Sequence, residues 1–548
     1  MAGNITVMAK KKQKTSGYKQ DNFFMIAAGC LLLLYIYLLV CVYPFLIKPG
    51  YGETSGVKYG FLMAVTYGFK TGAVWIPAFI PLSLICAAAG TAIYVKRSGR
   101  GIKAFVRSLR FSSTDMMVAL YALFVIISAV LNPYGVDLIR GVELSNMGLA
   151  SQFLFIFLYF ITSRLFDIYE LRSLVYASLA ASAVVFVIGI LQRFGLYIFD
   201  LYHGLENRLF ISTIGQHTYF SSYMIVFFML GVSAFWGSAP GSAMRRVSGV
   251  YLVIASILPC ILNADMIFSG MFFALSFLFV LSFESAEKLK SFFETALIIL
   301  LTWRITGIVW YFAKPEFRLE PLPKFIMLSP LIWIPFICLV LVYLFIRWKT
   351  GEGKIFDMKK YGYIGYIYTG IVCFAMLAVT VYIILNTNRL LPESLRSDAN
   401  YLLFDAFWGN GRGAIWHDTV MSFINELQSS PLAAVFGAGP DQFFYVLQEY
   451  VHEWLIIYTD KVALYAHNEW LNAFICYGIF GGAAYLGIFI SALIRFVKKR
   501  GQAPVALGAA IIVVAYISHQ MFGYQQYIST PYIFLILGIG EQAVREVS

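Results

Sequence analysis

Residues 23–47 read FFMIAAGCLLLLYIYLLVCVYPFLI, a run without a single charged side chain. As α-helix, about 20 such residues cross roughly 30 Å of hydrocarbon, so this stretch is long enough to span a bilayer. It is too long for the apolar core of a signal peptide and lacks a small-residue cleavage site. It therefore reads as an uncleaved first span.

Similar runs recur along the chain, at 71–95, 114–131, 149–166, 172–192, 218–236, 248–264, 266–283, 292–313, 326–346, 363–385, 468–497, 504–519 and 530–544. With the first they make about fourteen. The 548 residues are 60% hydrophobic and 13% charged, whereas soluble domains are roughly half apolar and a quarter charged. The expected fold is all-α, a polytopic membrane bundle of about 12–14 spans with one large extracytoplasmic loop. The seven cysteines are scattered within apolar segments and fit small buried residues, not a disulfide or metal framework.

The net charge of +12 follows from lysines and arginines clustered between spans, so no nucleic-acid partner is expected. Placing the N-terminus in the cytoplasm puts 96–110, Arg245-Arg246, 347–360 and Lys498-Lys499-Arg500 on the same side, as the positive-inside rule requires. Four regions follow: a basic cytoplasmic tail (1–22), an N-terminal transmembrane bundle (23–385), an extracytoplasmic segment (386–466) and C-terminal transmembrane helices (467–548). The predicted location is the plasma membrane.

Residues 386–466 are the long polar interruption in this apolar chain, and long ordered loops on rigid scaffolds tend to carry function. The spacing predicts a helix over Ala414–Leu427, stopped at Ser430-Pro431, and an aromatic interfacial stretch over Asp441–Tyr458. Arg412 lies in Gly409-Asn410-Gly411-Arg412-Gly413. The glycines would let backbone approach a ligand while the guanidinium forks onto phosphate oxygens; the bland alternative is an arginine snorkelling to headgroups. Gly437-Ala438-Gly439-Pro440 is a turn.

His467 precedes an apolar helix starting near Glu469, where the helix dipole favours a neutral ring suited to a general base; Asn468 can cap that helix or orient the ring. The alternative is an interfacial histidine that only satisfies backbone groups. Arg304 sits inside a span, where it contacts an anionic ligand or pairs with Asp265 or a backbone carbonyl. Arg208 and His217 flank a short polar connection, and His417 and His452 read as structural. No metal or phosphate-loop motif is present, so neither metal nor cofactor is expected.

At these residues the chain resembles the O-antigen ligase and O-antigen polymerase superfamily of bacterial envelope glycosyltransferases. The likeness rests on Gly411-Arg412 with Trp416, on Gly437-Ala438-Gly439-Pro440, and on His467-Asn468 with Leu471, Gly478 and Gly481. An earlier family stretch returns in altered form as Ser212–Thr218, followed by Ser221-Ser222-Tyr223. A basic S-R-G-like motif usual in the family is replaced by NADMIFSGMFF at 263–273.

The resemblance implies transfer of a glycan from undecaprenyl pyrophosphate to a hydroxyl of a glycan, lipid or wall-polymer acceptor. The transfer would occur at the outer face of the membrane, without metal and by a single inverting displacement. It assigns leaving-group neutralisation to Arg412 and proton removal to His467. Asn468, Gly437, Gly439, Arg304, Arg208 and His217 are the expected substrate-binding residues. The rival reading is a transporter or lipid-linked glycan flippase, which would spread its charges over several spans.

Overall fold

A computed structural model describes residues 23–47, 51–68, 70–71, 74–75, 78–98, 111–134, 137–197, 210–350, 358–450, 453–458 and 463–548. The basic tail 1–22, Arg208, His452 and most of 96–110 lie outside the described residues. Helix makes up 78% of the structure and strand 1%.

In chain order the first helices are α1 (Phe23–Cys41), α2 (Tyr51–Tyr67), α3 (Phe79–Ser98), α4 (Ser113–Val130), α5 (Leu149–Leu165), α6 (Leu171–Arg193) and α7 (His217–Gly237). There follow α8 (Ala243–Ile261), α9 (Met266–Ser282), α10 (Ala286–Ala313), α11 (Pro321–Leu328), α12 (Trp333–Thr350) and α13 (Tyr363–Thr387). The segment after α13 folds as α14 (Trp408–Ser429), α15 (Pro431–Phe436), α16 (Phe443–Glu449) and α17 (Glu453–Tyr458). The chain closes with α18 (Glu469–Lys498), α19 (Pro504–His519) and α20 (Thr530–Val547).

Among the described residues, nine helical stretches are long and apolar enough to cross a membrane, and four shorter apolar helices accompany them. The architecture is that of a multi-pass membrane protein. Each of the about fourteen apolar runs meets a helix, but several are shorter than a full crossing. α20 is less apolar because it carries Glu541 and Arg545. Glu541 is buried and ion-paired with Arg495 and Arg545, which removes the isolated-charge penalty.

Four expectations need correction. The run at 71–95 begins later, because Lys70–Thr71 pair antiparallel with Val74–Trp75 ahead of α3. The run at 326–346 is split between α11 and α12 by extended Ser329 and a 3-10 turn at Pro330–Ile332; a proline there cannot continue the helix. The first connection contains a helix, α2, that periodicity did not predict. The described part of 386–466 holds four α-helices where one was expected. The stop at Ser430-Pro431 stands, with Pro431 opening α15.

Asp441–Tyr458 is not simply a surface stretch, because Phe443, Val446, Leu447 and Leu455 are buried in the main core. The C-terminal helices are not a separate layer either: α18 packs on α4, α20 on α5, and α19 between α7 and α9. α7 lies at the centre, with most of its side chains buried.

By contrast α10, α12 and α13 expose rows of large apolar residues, such as Ile305, Ile308, Leu341, Phe345, Ile371 and Phe374. Water would not tolerate a surface of that extent on a monomer, and lipid would. On α13 only Gly365 and Asn386 are buried.

Side-chain bonds fix which helix ends lie together. Ser221 Oγ meets His519 Nε2 at 3.0 Å, whereas Ser233 Oγ donates to the Gly508 carbonyl at 3.4 Å, so α7 and α19 run antiparallel. One end of the bundle therefore gathers His217, His519 and the residues after α13. The other end gathers Arg245, Arg495 and Arg545, tied to Glu294, Glu541 and Asp115.

Candidate active site

Arg412 opens the regular part of α14. The three residues before it, Gly409, Asn410 and Gly411, all have positive φ (57°, 62° and 89°), so the chain turns sharply before the helix proper. Arg412 Nη1 donates to the Gly409 carbonyl at 2.8 Å, closing that turn.

The flanking glycines have a different reason from the one expected. A Cβ on Gly411 would fall 1.9 Å from the Tyr458 ring, and one on Gly413 would fall 1.9 Å from the Asp405 carbonyl oxygen. They admit the protein's own groups, not a ligand. Tyr458 then donates to the Asn410 carbonyl at 3.0 Å and holds α17 over the turn.

The Arg412 guanidinium lies 5.9 Å from the Phe522 ring, on which Trp416 stacks. Burial pulls its pKa below the usual arginine value, opposed by Tyr401, Asp265, Tyr458 and Glu320. Tyr401 donates to Asp265 Oδ2 at 2.9 Å. Burial pushes Glu320 above the ordinary carboxyl range, Asp265 adds to this, and Arg412 opposes it.

His467 stands in left-handed backbone (φ 47°), two residues before α18. Asn468 is the N-cap, its Oδ1 accepting from the backbone N–H of Trp470 and Leu471, both at 3.1 Å. The His467 ring meets Tyr524 edge-on at 5.2 Å. Burial lowers its pKa to about 3, with the positive charges of Arg412 and then His217 adding to the effect. The helix dipole is expected to favour the neutral ring; burial and then Arg412 push in that same direction.

His217 begins α7 beyond a small hairpin that pairs Phe210–Ile211 with Gly215–Gln216. Gln216 caps the helix by accepting from Thr218 and Tyr219. The charges of Arg193 and Arg412 both bear on His217. The Arg412 charge thus bears on His467, His217 and His519 and on Glu320 and Tyr401. Among the described residues, Arg412 Nε, Trp416 Nε1, His217 Nδ1 and Asp265 Oδ1 are buried polar atoms without a hydrogen-bond partner. Buried atoms of this kind are ordinarily paired with protein, water or a bound group.

The remaining expectations fare differently. Gly437 and Gly439 dock on α18, where Gly478 breaks the helix at φ 69°. Ala438 N–H donates to the Ile475 carbonyl at 3.1 Å and Gly439 N–H to the Cys476 carbonyl at 2.9 Å. These are carbonyls near the break in α18, and leaving them unpaired in apolar surroundings would be costly. Both glycines act in packing.

Arg304 donates to the carbonyls of Met327 (2.7 Å) and Ser329 (2.8 Å), capping α11. It takes the backbone-carbonyl option, while Asp265 goes to Tyr401. His417 stacks on Trp454 at 4.1 Å and meets Asp418 at 2.8 Å, a structural role.

Sequence reasoning missed Arg193, His519 and Glu320 as site neighbours. Arg193 and His519 end apolar runs, where a polar residue reads as an ordinary span boundary. Neither a family model nor a curated protein matches the chain.

Proposed function

We propose that the protein is a membrane glycosyltransferase that moves a glycan from undecaprenyl pyrophosphate to an acceptor hydroxyl at the outer face of the plasma membrane. The observation that carries this reading is that His467 and Arg412 meet the same connection between α19 and α20, His467 edge-on to Tyr524 at 5.2 Å and Arg412 5.9 Å from the Phe522 ring. Pyrophosphate becomes a good leaving group once its charge is neutralised, which a guanidinium does through charge-assisted hydrogen bonds.

In this reading the acceptor oxygen attacks the anomeric carbon while the bond to the pyrophosphate oxygen breaks. The hydroxyl proton passes to His467. Single displacement gives inversion. The motif residues shared with the O-antigen ligase and polymerase superfamily support the same assignment, as does the concentration of arginines at the opposite end of the bundle.

The test is transfer between defined lipid-linked donor and acceptor in proteoliposomes. A general base contributes typically 10²–10⁴-fold, so His467→Ala should lower turnover by that order with donor binding retained. Arg412→Lys keeps the charge but loses the fork, and should weaken donor use. Near wild-type transfer by His467→Ala would remove the base from the mechanism. Equal binding of a lipid pyrophosphate by wild type and Arg412→Ala would remove Arg412.

A further inference from the structure

Away from Arg412 and His467 the bundle holds a cavity of about 280 Å³, set between α1, α6, α7, α19 and α20. On α7 its lining runs from Val226 to Ser238, about 18 Å of helix. Val226 stands about 14 Å along α7 from His217, so the cavity is no part of the candidate active site.

None of the described residues that line it is charged. Three of its side-chain hydroxyls are spent on the protein: Ser233 donates to the Gly508 carbonyl, Ser238 to that of Ala234 and Tyr532 to that of Leu39. Water needs two to four polar partners, and an apolar cavity of only ~150 Å³ already stays dry and takes up hydrocarbon. A helix about 10 Å across would fill about 1,400 Å³ over the same length, so neither a second copy nor a partner's helix enters. A single hydrocarbon chain fits.

The cavity reaches the arginine-rich end of the bundle, where Leu171, Ser238 and Pro504 line it. Each of the three adjoins a cation. Arg172 is exposed beside Leu171, and Arg245 donates to the Ser238 carbonyl at 3.3 Å. The Ala503 N–H donates to the Lys499 carbonyl at 2.8 Å, so the Lys498-Lys499-Arg500 turn leads straight into Pro504, with Lys498 and Arg500 exposed. The acidic neighbours are engaged: Asp167 accepts from the Tyr169 N–H, Glu170 from the Ser173 hydroxyl, and Glu294 pairs with Arg245. A cationic mouth over an apolar interior complements an anionic lipid head over its tail.

We propose that this cavity is a slot for one acyl chain of an anionic phospholipid, whose phosphate rests at the Lys498-Lys499-Arg500 turn. By filling the slot the chain completes the packing of α7, the central helix. The inference stands independently of the glycosyl-transfer reading.

The test is titration of the full-length protein in detergent with dioleoyl phosphatidylglycerol or dioleoyl phosphatidylcholine, read by native mass spectrometry. Wild type should bind phosphatidylglycerol more tightly. One cation near a lipid surface is worth about fivefold, so changing Lys498, Lys499 and Arg500 together to Gln should weaken phosphatidylglycerol by about tenfold to a hundredfold and phosphatidylcholine little. A Cβ on Gly237 would meet nothing within 4 Å, and one on Gly508 would only touch Ser233 Cβ at 3.7 Å, so both positions accept a side chain. Gly237→Leu and Gly508→Leu, made separately, each displace methylenes of the chain and should cost about tenfold or more for both lipids.

Unchanged binding in both glycine variants would overturn the slot. Equal affinity of wild type for the two lipids would overturn the anionic head. Displacement of phosphatidylglycerol by equimolar undecaprenyl phosphate would assign the cavity to a polyprenyl tail and overturn the proposal as well. The charge variant lies on the surface, so it tests the proposal even where a filled slot does not fold.

Discussion

Arg412 bears on the chemistry of His467. A ring held at about 3 is a weak base, and burial comes first and the Arg412 charge second in holding it there. A bound pyrophosphate would offset Arg412 and raise the ring toward useful basicity. The pH profiles separate these states, because kcat/KM for donor reports the free enzyme and kcat the loaded one. The acid limb of kcat should lie above that of kcat/KM, and kcat/KM should show no limb near the ordinary histidine value of about 6.5. A limb there that vanishes in His467→Gln would contradict this. The stability effect has a defined sign: the folded state binds fewer protons than the unfolded one between the two values, so the contribution is complete above 6.5 and lost as pH falls toward 3. His467, Arg412 and Asn468 were legible from residue order and helix spacing. Arg193 and Glu320 were not, since their relevance comes from contacts between distant segments.

At the scale of elements, the turn at 437–440 and the break at Gly478 are two halves of one joint. A Cβ on Gly478 would fall 2.3 Å from the Val435 carbonyl oxygen, and one on Gly437 would fall 2.3 Å from that of Cys476. Gly478→Ala would have to remain in a left-handed conformation or close the helix and eject the turn. Strain and freed carbonyls together predict a loss of about 2–5 kcal/mol, read as a lower melting temperature in detergent. Unchanged melting would show that α18 tolerates an unbroken path here. Asp441 extends the joint: its carboxylate accepts from Val142 N–H at 2.8 Å, Met147 N–H at 3.0 Å and the Ser145 hydroxyl. Burial raises its pKa to about 7 against those donors. The turn was evident from its glycines and proline, but its partner was not, because a glycine in an apolar run reads as helix until the opposing backbone is known.

Over the whole molecule, composition made the helical membrane bundle plain, since a chain this apolar has few other ways to satisfy its backbone. What composition hides is which helices share a core. Asp115 pairs with Arg545, and Tyr43 donates to the carbonyl of Tyr527, contacts between segments hundreds of residues apart. The outlying helix α13 has its own significance. Its 25 residues span about 37 Å, against roughly 30 Å of hydrocarbon, and among the described residues few contacts hold its length, Tyr368 meeting Ser276 at 2.7 Å and Phe279 edge-on. Its last turn does hold the segment that leads to Arg412, through Asn386, whose amide donates to the carbonyls of Ser397 (2.7 Å) and Leu402 (2.8 Å), on either side of Asp398–Tyr401. A rod that faces lipid along most of its length leans in a thin membrane, and this one leads to the Tyr401–Asp265 bond. Under the glycosyl-transfer proposal, bilayer thickness becomes an input to turnover. Turnover in vesicles of graded acyl length should pass through an optimum, and Asn386→Ala should flatten it, whereas the same curve in both proteins would mean that the rod and the site are uncoupled.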